Sequence, residues 1–228
     1  MNSVRLMTTN LLYTKGATAQ ALHGLLDVVK PDILAVQELT PALSQTIAER
    51  FPYSLLMTSH DRAGVGLAAV RPVSFDDMPI PYRAAVITLQ PEDWPEFAGP
   101  VEIVNVHLAN PIGGLPFTTT RKRRSQIDAI EARQAQVSTR RVLCGDLNAT
   151  QLWPAYRRLR GSFRDGILDA AARNGSRPPR TWGPLSSGPR LLRIDHVLVD
   201  GVRVESAQAV RLRGSDHHAV VTDIVDDV

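Results

Sequence analysis

Apolar residues arrive along this chain in short bursts, several of which are closed by an amide, a carboxylate or an imidazole. Val4 to Thr9 reads as an opening strand that delivers Asn10. Asp32-Ile-Leu-Ala-Val-Gln-Glu38 reads as a second strand, buried through Ile33 to Val36, with Gln37 and Glu38 at its exit. Tyr53 to Met57, Gly64 to Val70, Val73 to Met78 and Ala84 to Leu89 follow as short strands. Val101 to His107 alternates in strand fashion, and Arg140 to Cys144 runs into Gly145-Asp-Leu-Asn148. Helical spacing appears between these bursts. Ala17 to Lys30 repeats apolar residues on one face and must stop before Pro31. Pro41 to Arg50 has Thr40 as its N-cap and a proline in its first turn. Thr118 to Val137, Trp153 to Arg160 and Asp165 to Ala172 complete the expected helices. Gln90 to Pro100, Asn110 to Pro116 and Arg173 to Pro189 read as loops.

The tail pairs polar residues with apolar runs. Arg193-Ile-Asp-His-Val-Leu-Val199 and Gly214-Ser-Asp-His-His-Ala-Val-Val-Thr-Asp-Ile224 predict two final strands, with Val202 to Val210 connecting them. An Asp at one strand end and a His at the next make a carboxylate–imidazole pair, which fixes the ring tautomer and favours its protonated form.

Strands with helices inserted between them predict an α/β layered fold with sheets at the centre. The 228 residues fit one domain. Cys144 is the single cysteine, so neither a disulfide framework nor a thiolate metal site can be built. No run approaches the ~18 apolar residues of a membrane span, and the N-terminus lacks the layout of a secretion signal. A cytoplasmic monomer is therefore expected.

Net charge is +3, and the basic residues are nearly all arginine. Arg121-Lys-Arg-Arg124 is the densest cluster, followed by Arg157 to Arg160 and the arginines between 173 and 193. Arginine is the planar, bidentate phosphate binder, and both a solvated basic surface and a polyanion-binding face fit this pattern.

Several mimics fall away. Gly64-Val-Gly-Leu-Ala-Ala69 is followed by Val70-Arg-Pro72 rather than by a helix, so it is no dinucleotide fingerprint. There is no Walker A sequence, no HExxH and no Gly-x-Ser-x-Gly elbow around Ser215. The remaining chemistry is oxygen-rich: carboxylates at Glu38, Asp146 and Asp216, and amides at Asn10 and Asn148. Hard oxygen ligands suit Mg²⁺ or Mn²⁺ better than zinc. His107 and His217 beside such an ion are suited to proton transfer, and the whole set points to phosphoester hydrolysis.

In chain order, these motifs resemble those of the endonuclease/exonuclease/phosphatase superfamily. Thr8-Thr-Asn10, the strand ending in Gln37-Glu38, Val104-Asn-Val-His107 with Asn110, Gly145-Asp-Leu-Asn148, Thr181-Trp182, Arg193-Ile-Asp-His196 and Ser215-Asp-His217 carry the resemblance. It implies two packed mixed sheets flanked by helices, as in deoxyribonuclease I.

It also implies roles. Glu38 is the principal Mg²⁺ ligand, with Asn10 beside it and Asp216 completing the metal region. Asp146 orients and deprotonates the attacking water, and Asn148 holds that water or a phosphate oxygen. His217, paired with Asp195, contacts the scissile phosphate, and His107 stabilises the transition state or assists the leaving oxygen. Asn110, Arg121, Arg124 and Trp182 are the candidate substrate contacts.

Leu12 stands where the apurinic endonucleases of the superfamily carry an Asp, and His107 where they carry a tyrosine. That departure moves the chain towards deoxyribonuclease-like enzymes and phosphatases. The expected activity is a Mg²⁺-dependent nuclease on DNA, with a phosphatase or phosphodiesterase on a small or lipid-linked phosphate as the alternative.

Overall fold

A computed structural model describes residues 3–76, 84–111, 116–136 and 140–227. The chain runs β1 (Val4–Asn10), α1 (Ala19–Val29), β2 (Ile33–Gln37), α2 (Pro41–Ala48), β3 (Tyr53–Met57), β4 (Val65–Ala69), β5 (Ser74–Asp76), β6 (Ala84–Leu89) and β7 (Val101–His107). It continues through α3 (Pro116–Gln136), β8 (Arg140–Asp146), α4 (Pro154–Leu159), β9 (Arg164–Asp165), α5 (Gly166–Arg173), β10 (Asp195–Asp200), β11 (Val202–Arg211) and β12 (His218–Asp226).

The strands form two six-stranded mixed sheets, ordered β11-β12-β1-β2-β4-β3 and β5-β6-β7-β8-β10-β9. Each sheet has a parallel pair at its centre, β1 with β2 and β7 with β8, flanked on both sides by antiparallel neighbours. The sheets pack face to face. Leu6, Ile33, Ala35 and Leu67 of the first meet Ile87, Ile103, Val142 and Val197 of the second. Helices α1 and α2 cover the outer face of the first sheet, and α3 and α4 that of the second. With helices outside and the partner sheet inside, the central strands are buried on both faces. This is why β2 carries a continuous apolar run, whereas β7 alternates and satisfies its buried Glu102 by pairing with Arg133 and Arg141.

One polar bridge crosses the inner core. Asn105 donates to the carbonyls of Val36 and Gly66 at 2.9 Å each and accepts from Gln37 at 2.6 Å. A fully buried amide is tolerable only when its bonds are met, and here meeting them ties the two sheets together just below their strand ends. Cys144 lies buried in the same core, where burial pushes its thiol far above the ordinary range.

Local signals explain most element ends. Thr18 caps α1 by accepting from Ala21 N–H, and Lys30 closes it in the left-handed region. Asp165 caps α5. Three sequence expectations need correction. Val202 to Val210 is not a connection but most of β11. It lies at the sheet edge, pairs only with β12 and kinks at a bulge between Val204 and Ser206, so it lacks the apolar run of a central strand. Pro116, expected in a loop, belongs to α3. The strand expected over Val73 to Met78 is three residues long, and its last two residues lie outside the described range. Residues 112–115 of the expected loop are likewise outside it. No helix among the described residues is long and apolar enough to cross a membrane.

Candidate active site

The polar residues predicted at strand ends converge because the strand registers bring them level. His107 lies opposite Asp146 in the parallel pair, Asp146 opposite Asp195 in the antiparallel pair, and Asn10 opposite Gln37 in the first sheet. A cavity of about 300 Å³ opens over these ends. Its lining includes Asn10, Glu38, His107, Asn110, Asp146, Asn148, Trp182, Asp216 and His217. Asp195 is fully buried beneath His217.

Tight backbone geometry presents the carboxylates. Glu38 and Asn148 both hold φ in the left-handed region, at 56° and 45°. Non-glycine residues rarely hold that conformation unless their surroundings impose it. Gly145 sits at φ 125°, and a Cβ there would lie 2.1 Å from the Val106 carbonyl oxygen. The glycine of Gly145-Asp-Leu-Asn148 therefore has a steric reason.

Two carboxylates meet at the centre. The side-chain amide of Asn10 donates to Asp146 Oδ2 at 3.1 Å and to Glu38 Oε1 at 3.4 Å, while its own oxygen accepts from Leu12 N–H. Glu38 Oε2 is held by Tyr13 N–H. His107 Nε2 lies 3.6 Å from Asp146 Oδ2 and 3.9 Å from Glu38 Oε1, with its Nδ1 against the Arg62 carbonyl. Asn148 donates to Asp146 through its backbone and its side chain.

The imidazole side completes the arrangement. His217 Nδ1 is 2.8 Å from Asp195 Oδ2, and Nε2 is 3.8 Å from Asp146 Oδ2. Burial opposes the charged ring, but Asp195, Asp146 and Asp216 outweigh it and raise His217 to about 9. Burial pushes Asp146 up to about 7, with Asp195 adding to it against the pull of His217. A carboxyl raised by burial beside a ring kept charged by carboxylates is an arrangement that can exchange a proton.

The Thr181-Trp182 segment holds the imidazole side. Thr181 Oγ1 accepts from Ile194 and Asp195 N–H, His218 N–H donates to the Thr181 carbonyl, and Trp182 Nε1 donates to Asp216 Oδ2 at 3.0 Å. Ser215 Oγ bridges from His217 N–H to the Asn10 carbonyl, which links the tail to the first strand.

The donor chemistry fits a divalent cation. Asp146, Asp195 and His217 lie close enough to hold one. However, Nδ1 of His217 is engaged by Asp195, and a protonated ring offers no lone pair. Carboxylate oxygens suit a hard ion better: Glu38 and Asp216 both line the cavity, and Asp216 Oδ1 is a buried carboxylate oxygen without a hydrogen bond. Asn10 orients both Glu38 and Asp146 through its nitrogen.

Arg121 and Arg124 lie exposed on α3, and neither lines the cavity. The residue of that cluster that reaches the site is Arg123, which is buried and donates to the carbonyls of Ala109, Leu147 and Asn148. Burial lowers it to about 10. Gln126, one turn on, and Arg62, at the cavity wall, also escaped the sequence reading. Arg62 gave no local sign. Gln126 shares a stripe with Thr119, Arg123, Ile127 and Ile130, all buried at helical spacing.

Carboxylates, amides and imidazoles thus gather at the strand ends of a two-sheet sandwich. The chain belongs to the Endonuclease/Exonuclease/phosphatase family, whose model matches residues 7–217. That family is divalent-metal dependent. Among solved structures, the fold is similar to the human Nocturnin catalytic domain with bound sulfate anion (TM-score 0.74, 17% identity, 99% of this chain and 94% of that one). It is also similar to the endonuclease/exonuclease/phosphatase from Beutenbergia cavernae (0.70, 18%, 99% and 72%) and to truncated TDP2 from Caenorhabditis elegans (0.68, 18%, 98% and 97%). No curated protein matches the sequence.

Proposed function

We propose that this protein is a Mg²⁺-dependent phosphodiester hydrolase acting on nucleic acid, with DNA as its substrate and Mn²⁺ as a working substitute. The carrying observation is His217 held between Asp195 and Asp146, facing the Glu38–Asn10 side of the same cavity. The scissile phosphate sits between the two. Asp146 takes the proton of a water that attacks phosphorus in line with the departing oxygen. Protonated His217 donates to a non-bridging oxygen as charge develops there, and Asp195 keeps the ring oriented and charged. His107 stands on the opposite flank to assist the leaving oxygen. Asn148 holds the water or a phosphate oxygen, and Asn110 at the rim meets the substrate. Glu38 and Asp216 would hold the ion, whose chemistry there would be Lewis-acid stabilisation of the phosphoryl oxygens. Trp182 and Trp153 on the wall offer flat faces for a base.

A second reading, hydrolysis of a small or lipid-linked phosphate, has its own support. Many of the arginines that suggested DNA are engaged within the protein. Arg158 pairs with Asp128 and Glu131, Arg193 with Asp165, and Arg190 with the carbonyls of Leu185, Ser186, Gly188 and Ser215. Arg121, Arg124, Arg157, Arg177 and Arg180 remain exposed for backbone phosphates. Incubation with plasmid DNA and with a panel of phosphomonoesters, at low salt with Mg²⁺ or with EDTA, separates the two. DNA cleavage abolished by EDTA is expected. Intact DNA alongside metal-dependent phosphate release would transfer the assignment to the second reading, and inertness towards every substrate would defeat both.

A further inference from the structure

Strands β7 and β8 end side by side, and each is followed by residues of the cavity wall: Asn110 after β7, and Asn148 after β8. The cavity depends on how far apart these two segments are held. Two hydrogen bonds join them directly: Leu108 N–H donates to the Asp146 carbonyl, and the Asn148 amide to the Leu108 carbonyl.

We propose that Arg123 and Gln126 of α3 form a positioning clamp that holds these two segments at one fixed separation, and so sets the placement of His107 and Asn110 relative to Asp146 and Asn148. Its kinetic consequence rests on the hydrolase reading above; its structural consequence does not.

The geometry is specific. Arg123 Nη1 donates to the Ala109 carbonyl at 2.7 Å. Its Nη2 donates to the carbonyls of Leu147 at 2.8 Å and Asn148 at 3.2 Å. One planar fork therefore spans both segments, a task an ammonium group cannot reproduce. Gln126 grips the first segment again, accepting from Ala109 N–H at 2.9 Å and donating to the His107 carbonyl at 3.2 Å. Ala109 is thus held by both its backbone groups. The two clamp residues are three apart and share the buried face of α3. Asp146 attracts the buried cation through space, but the hydrogen bonds of the fork go to backbone carbonyls. Burying a cation against neutral carbonyls is an expensive way to pin a helix, where an apolar side chain of similar volume would serve. It is an effective way to register two loops.

The test uses the full-length variants Arg123→Lys, which keeps the charge and loses the fork, and Gln126→Leu, which keeps the volume and loses both bonds. Amide exchange is followed at Ala109, whose N–H is held by Gln126, and at Asn148, whose N–H is held by Asp146 Oδ1. Exchange at these amides is expected to accelerate about tenfold or more, while amides in α1 and β2 keep the wild-type rate. With a hydrolysed substrate, kcat falls by about 10- to 100-fold and KM changes by less than about twofold, because reacting groups are displaced without loss of the binding surface. Unchanged exchange at Ala109 and Asn148 overturns the clamp, as does acceleration spread evenly over α3 and both sheets, which marks a merely structural arginine. If the wild type hydrolyses nothing, the hydrolase reading falls, and amide exchange alone decides the clamp.

Discussion

Substitution of His217 by alanine is expected to lower kcat for phosphodiester hydrolysis by about 10²- to 10⁴-fold, the range for a lost acid–base group. His217 is the one imidazole anchored by a buried carboxylate at one nitrogen while its other nitrogen faces Asp146. The pH profile carries the sign. The ring is raised to about 9 by Asp195, Asp146 and Asp216 against its burial, so it is charged at neutral pH and loses its proton as pH climbs through about 9. Activity should fall along that alkaline limb. Asp195→Asn removes the largest favourable charge and should move the limb to lower pH, with a smaller loss at pH 6. A His217→Ala variant as active as the wild type would remove the imidazole from the chemistry. An unmoved limb in Asp195→Asn would detach the pair from it.

The second large effect is on stability. Asp165 is fully buried and accepts from both terminal nitrogens of Arg193, at 3.2 and 2.7 Å, and from the Tyr156 hydroxyl at 2.6 Å, while it caps α5 at Leu168 N–H. His196, the second residue of β10, lies nearby and donates from Nε2 to the Ala149 carbonyl at 2.8 Å. Arg193→Leu strands this carboxylate in the interior and should destabilise the fold by about 3–5 kcal/mol, read from urea unfolding. Although burial pushes the Asp165 carboxyl up, His196 and Arg193 outweigh it and hold it well below the usual carboxylate range. A depressed group stabilises the fold above its unfolded pKa of about 4, and that contribution fades as pH falls towards the folded value. Wild-type stability should therefore drop below about pH 4, and Asp165→Asn should flatten that acid slope. A loss in Arg193→Leu below about 1 kcal/mol would show that the pair is replaceable.

How much of this could be read from residues alone follows from what each signal reports. The strand at Ile33 was legible as an apolar run buried on both faces, and that at Val101 as an alternation closed by His107. The edge strand β11 was not, because an edge partnered on one side carries no such run. Asn10, Glu38, His107, Asp146, Asp216 and His217 were legible because each breaks or borders a run, and the registers place them around one cavity. Charge density singles out Arg121 and Arg124 but says nothing about direction, and both lie exposed on α3. Helical phase was the better guide, since Arg123 shares the buried stripe of Ile127 and Ile130. Arg62 reaches the cavity through folding over β7, a long-range contact that no local pattern encodes.

Glu38 and Asp216, distant in sequence but lining one cavity, are expected to hold a divalent cation there. Anomalous scattering from crystals equilibrated with Mn²⁺ tests it most directly. A strong peak against the Glu38 carboxylate is expected in the wild type and should vanish in Glu38→Gln. A cavity without a peak at saturating Mn²⁺, or one equally occupied in Glu38→Gln, would contradict it.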